Sequence, residues 1–151
     1  MTDMKRLTYI LTILMLAASC TEKENDDKGT ALEERLCKEW HSCTLSMDEA
    51  DIYMSFSEDL TFELYQKIGD GSHRLYRGTW TLEGNVLSGK YNDGEDWGAS
   101  YEIAMSDKFM TMTSKNDAAE ENIFEECTIP EEVKESSLVV VRSHAEFTPA
   151  I

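Results

Sequence analysis

The sequence predicts an all-β fold, an eight-stranded antiparallel up-and-down meander barrel preceded by one short helix. Beyond residue 40 the helical spacing of apolar residues fades, and short runs alternate apolar and polar with period two. These runs are separated by short connectors rich in Gly, Asn, Asp and Ser, of about three to eight residues, which favour sequential antiparallel neighbours. Each run has one apolar face, and a series of half-apolar strands hides those faces and its open edges by closing on itself. The chain has 151 residues, of which 41% are hydrophobic. That length allows one domain with a tail and leaves no room for a second catalytic domain.

Residues 1–19 read as an address and not as structure. Lys5 and Arg6 precede an uncharged run, Leu7–Ser19, which is shorter than the roughly 20 residues a membrane-spanning helix needs and matches the apolar region of a signal peptide. The run ends Leu16-Ala17-Ala18-Ser19-Cys20, which resembles a bacterial lipobox, small residues before a cysteine that is lipidated and becomes the mature N-terminus. Cys20 is therefore the expected lipidation site and the expected link to a membrane, because two or more acyl chains hold a protein stably on a bilayer. Residues 20–30 carry Glu22, Glu24, Asp26 and Asp27 and almost no apolar side chains, the composition of a flexible acidic tether. Acidic residues after the lipidated Cys resemble a signal for the outer face of the outer membrane. The localisation expected is an outer-membrane lipoprotein facing the cell surface or the periplasm.

The folded part is expected at residues 31–130. Ala31–Leu36 is a short helix, with Thr30 placed as N-cap and Glu33 three residues on, as in a capping box. Eight strands follow, at Trp40–Leu45, Ile52–Phe56, Leu60–Gln66, Arg74–Leu82, Val86–Tyr91, Ala99–Met105, Phe109–Ser114 and Asn122–Ile129. Their connectors include Ser57-Glu58-Asp59, Gly69-Asp70-Gly71, Glu83-Gly84-Asn85, Asn92-Asp93-Gly94 and Ser106-Asp107-Lys108. Residues 131–151 form a C-terminal extension in which Leu138–Val141 is strongly β-prone. That run either adds a strand, packs over the barrel mouth or stays loose.

Three segments carry a family resemblance: Leu36-x-x-x-Trp40, the stretch Tyr76-Arg77-Gly78-Thr79-Trp80 to Gly84-Asn85-Val86-Leu87, and Tyr101 followed by Met110–Thr113. Over about residues 32–130 the chain resembles the lipocalin-like domains of bacterial lipoproteins. Lys38 stands two before Trp40, where lipocalins typically carry Gly. The resemblance implies a barrel closed at one end by the N-terminal helix, with a pocket for a small apolar or amphipathic molecule.

Alternation points Met54, Phe62, Tyr76, Trp80, Tyr101 and Met112 inward, as core or as pocket lining, and strands of this length imply a small pocket or none. Trp40 and Trp80 are expected to fill the base and interior, and Trp97, beside the acidic turn 93–96, to lie at a rim. In a closed meander the first and last strands are neighbours, so Cys43 and Cys127 are the expected disulfide pair, with Cys37–Cys127 as the alternative and three free thiols also compatible with the odd count. No metal site and no cofactor are expected: His41 and Cys43 match no zinc spacing, and Asp93, Glu95 and Asp96 do not fit a calcium loop. With 14 Lys and Arg against 30 Asp and Glu, and a net charge of −16, nucleic acid is not a partner; loss of residues 1–19 leaves −17. No nucleophile elbow, metalloprotease helix or phosphate loop occurs, so the chain is not expected to be an enzyme. Two functions remain in view, a barrel holding a small apolar ligand and an interaction module serving another envelope protein.

Overall fold

The computed structural model describes residues 26–44, 50–116, 118–141 and 149–151. The expected signal segment 1–19, Cys20 and the first half of the expected tether lie outside the described residues, as does Leu45. The described chain forms α1 (Asp26–Leu36), β1 (Glu39–Ser42), β2 (Ala50–Phe56), β3 (Thr61–Ile68), β4 (Arg74–Glu83), β5 (Val86–Tyr91), β6 (Tyr101–Ser106), β7 (Phe109–Ser114), β8 (Glu121–Cys127), α2 (Glu131–Ser136) and β9 (Leu138–Val139).

Strands β1 to β8 pair antiparallel in sequence order, and β1 then pairs with β8, so the sheet closes into an eight-stranded barrel. The closing register sets Glu39 opposite Cys127 and Ser42 opposite Phe124. The predicted alternation holds along the wall. Ile52, Met54 and Phe56 of β2, Phe62 and Leu64 of β3, Tyr76 and Trp80 of β4, and Met110 and Met112 of β7 share one buried interior cluster.

The base is sealed by α1. Leu36 is fully buried, and its carbonyl accepts the Trp40 indole N–H at 3.0 Å. Trp80 donates its indole N–H to the Thr61 carbonyl at 3.0 Å and meets Phe56 edge to face. The helix starts at Asp26, ahead of the expected Ala31, so Thr30 lies inside it and is not its N-cap, and residues 26–30 of the expected tether are helical. A single interior Gly, here Gly29, weakens a helix by about 1 kcal/mol without ending it. Lys38 leaves the base and pairs with Glu126 at 2.6 Å.

The interior above the base is filled with rings set against glycines. A Cβ on Gly78 would stand 2.0 Å from the Lys90 carbonyl oxygen and 2.8 Å from the Phe62 ring, and one on Gly89 would stand 2.1 Å from the Trp97 ring. Trp97 is thereby buried inside the barrel, contrary to its expected rim position. Residues 92–97 turn back along β5, with Trp97 N–H donating to the Gly89 carbonyl at 2.9 Å and Lys90 bridged to Asp96, and this carries the indole inward.

The extension after β8 clasps the outside of the barrel. Ile129 and Val133 pack on the outward Tyr53, Tyr65 and Leu75 as a second apolar cluster. The Glu39 carboxylate accepts from both the Ile129 backbone N–H and the Lys134 ammonium, each at 2.7 Å. β9 then pairs parallel to the first residues of β4, Arg74 with Leu138 and Leu75 with Val139. β5 pairs with β4 only from Gly78 onward, so β9 takes an edge that β5 leaves open.

Candidate functional site

At the end opposite α1, the barrel mouth is formed where β3 and β5 finish and β4 begins. Gln66, Tyr76 and Tyr91 sit on inward positions of these strands and are buried. Above them lie residues 149–151. Ile151 is buried within the interior cluster, the Tyr91 hydroxyl donates to the Ile151 carbonyl oxygen, and the Ala150 backbone N–H donates to Gln66 Oε1 at 2.6 Å.

Beside this plug is a cavity of about 120 Å³ lined by Tyr76, Arg77, Tyr91, Asn92, Asp93 and Val139–Val141. Its floor is aromatic, with Tyr76 and Tyr91 edge to face at 6.3 Å. One wall is aliphatic and the rim carries charge. Arg77 is held outward by Glu63, Nε to Oε1 at 2.8 Å. Asp93 Oδ1 accepts the Glu95 backbone N–H at 3.1 Å, whereas Asp93 Oδ2 is buried with no hydrogen-bond partner among the described residues. A buried, unpaired carboxylate oxygen costs more than an ordinary lost hydrogen bond. The Trp97 indole N–H, deeper in the barrel, is likewise buried without a partner among the described residues.

The six residues expected as core or pocket lining do converge, but mainly as packing. Met54, Phe62, Trp80, Tyr101 and Met112 fill the interior, and Tyr76 alone of the six borders the cavity. Burial pushes the Tyr76 and Tyr101 hydroxyls up from their ordinary pKa, so both are neutral donors near neutral pH.

A second polar cluster lies on the outer wall under the clasp. Buried Asp51 receives both histidines, His41 Nε2 at 2.8 Å from Oδ1 and His73 Nε2 at 2.9 Å from Oδ2. Tyr53 stacks on His41 at 4.3 Å, and the His73 carbonyl accepts the Leu138 N–H at 2.9 Å. This grouping escaped the sequence reading, which began the strand at Ile52 and left Asp51 in the connector before it, whereas β2 runs from Ala50. His41 is thus committed to Asp51 and not to Cys43, and among the described residues no group of three or more His, Cys, Asp or Glu side chains is arranged to hold a metal. Asp96 of the acidic turn is paired with Lys90 at 2.8 Å.

The expected Cys43–Cys127 bridge is not formed, and Cys37, Cys43 and Cys127 are free thiols. The seam register explains this. Cys127 lies opposite Glu39 and Cys43 lies beside Ile123, which separates the two along the seam by about 13 Å at 3.3 Å per residue, beyond the reach of a disulfide. Burial, then the charges of Glu39 and Glu125, push the Cys127 thiol up to about 11.

A closed antiparallel barrel with a helix under its base and a small cavity at its mouth defines a calyx-type β-barrel. The family model for the lipocalin-like domain matches residues 19–112, and the chain belongs to that family. Comparisons with curated proteins and with solved structures return no match. β8, α2, β9 and the mouth plug all lie beyond the matched residues.

Proposed function

We propose that this chain is a lipid-anchored envelope lipoprotein whose barrel holds a small amphipathic ligand at its mouth, without catalysis. The observation that carries the reading is the mouth cavity, where an aromatic floor meets an aliphatic wall beneath the charged side chains Arg77 and Asp93. A comparable 150 Å³ cavity accommodates benzene, so the ligand that fits beside the plug is of about that size. Anchoring rests on the lipobox-like run ending at Cys20, on the outer membrane and facing the cell surface or the periplasm.

Native mass spectrometry of protein taken from its own envelope, before and after organic extraction, tests the ligand. A bound small molecule that disappears on extraction is the expected result, and an unchanged mass sinks the reading. Labelling with a fatty-acid analogue tests the anchor, with incorporation expected in the natural chain and lost in Cys20→Ser. The interaction-module reading is favoured by the exposed Leu138 and Val139 of β9 and Val141 just beyond it; a stable protein partner released by Val139→Lys would support it over the first.

A further inference from the structure

From the contacts of residues 149–151 we infer that the barrel mouth is a peptide-recognition subsite, held in cis by Ala150–Ile151 and open in trans to a short peptide bearing a branched aliphatic residue. This deepens the ligand-holding reading and rests on it. Three kinds of contact meet there, and together they describe a short peptide. Gln66 Oε1 takes a backbone N–H, the Tyr91 hydroxyl gives to a carbonyl oxygen one residue further on, and the Ile151 side chain enters the interior cluster.

The donor and acceptor are placed by the barrel and not by the plug. Gln66 and Tyr91 are inward positions of β3 and β5, each fixed by its strand register, Gln66 against Ile52 and Arg74 and Tyr91 against Gly78. Phe62 and Tyr76 pack edge to face against the Tyr91 ring at 5.7 and 6.3 Å and hold its hydroxyl toward the mouth. The peptide unit meets the buried glutamine and tyrosine together, giving an N–H to the one and a carbonyl oxygen to the other. The adjoining cavity, with its aliphatic wall at Val139–Val141, provides space next to the same subsite for a ligand longer than the plug. The plug and an incoming peptide therefore compete for one seat, and the apparent affinity for the second is lowered by the occupancy of the first.

The probe is acetyl-Pro-Ala-Ile, as free acid and as amide, titrated by calorimetry into the full chain and into its Ile151→Asp variant, which evicts the plug with a buried charge. Binding to Ile151→Asp at least tenfold tighter than to the unaltered chain is expected. Tyr91→Phe in that background should weaken it by roughly 2- to 12-fold, the equivalent of one hydrogen bond. The preferred form of the probe tells whether Tyr91 reads a carboxylate or an amide carbonyl. Should Ile151→Asp lose its near-ultraviolet circular dichroism, Ile151→Ala replaces it with the same expected order of affinities. Equal affinity for variant and unaltered chain, or a Tyr91→Phe change without effect, overturns the inference. A small molecule recovered from the native protein together with no peptide binding overturns this inference alone and leaves the ligand reading standing.

Discussion

At the base of the barrel Trp40 bonds a carbonyl four residues away and Trp80 one 19 residues away, while at the mouth Tyr91 bonds a carbonyl 60 residues on and Gln66 an N–H 84 residues on. The base is closed by large rings and a helix that belong to the barrel's own sequence, all within the family match. The mouth is closed by a segment outside that match, which among the described residues brings hydrogen bonds to Gln66 and Tyr91 and the buried Ile151 side chain. Closure at the base is therefore part of the folded core. Closure at the mouth is added from beyond the eighth strand.

The contrast yields graded expectations. Trp80→Ala removes a buried indole from the base and should cost about 3–5 kcal/mol in urea unfolding, against about 2 kcal/mol for Ile151→Ala at the mouth, the low end for that truncation. Comparable losses at the two ends would break the comparison. Gly89→Ala, which drives a methyl into the Trp97 ring, should cost about 1–3 kcal/mol and change the tryptophan emission. Asp51→Leu strips both histidines of their partner and should cost about 1–3 kcal/mol, with hydrogen exchange accelerated first in β9, which hangs from His73; uniform acceleration around the barrel would contradict the clasp.

The smallest expected effect concerns Cys127. Its folded pKa of about 11 lies above the ordinary 9.0, so the fold favours the neutral thiol. That contribution is fully present below pH 9 and is lost as pH rises through 11. At pH 8 only about one Cys127 in a thousand is thiolate, and iodoacetamide should modify exposed Cys43 well before it, as peptide mapping will show; equal rates would mean that the clasp does not shield Cys127.

The barrel was legible in the sequence because its signals are local. Alternation in Ile52-Tyr53-Met54-Ser55-Phe56 fixes which side chains face inward, and Val86–Tyr91 and Phe109–Ser114 were bounded by their flanking turns to the residue. Of the clasp and the plug, only the β-prone run Leu138–Val141 was legible, and β9 forms at its first two residues. α2 has six residues and β9 two, too few to show a period, and α2 follows directly on Ile129-Pro130. The partners of Asp51, Gln66 and Tyr91 come from distant chain segments, and no spacing rule announces them. Trp97 was misplaced for a related reason, since its direction is set by a fold-back onto Gly89 and not by alternation within a strand. The first and last strands were correctly placed as neighbours, with Cys127 on β8 and Cys43 one residue past the end of β1, but the register that keeps the two thiols apart emerges only when the seam closes.

That seam also sets the order in which the molecule can form. Lys38 and Glu126 meet across it from positions 88 residues apart, whereas the β2–β3 and β6–β7 hairpins need only a few residues of turn. Joining distant strands carries the loop-closure entropy of the whole meander, so the hairpins assemble first and the seam last, on the about millisecond-to-second scale of non-local β topologies. Until it shuts, β1 and β8 are bare edges able to pair with another chain. The Glu39 carboxylate, facing Cys127 on the seam and gripping Ile129 and Lys134 beyond it, is the latch that holds the finished ring against reopening.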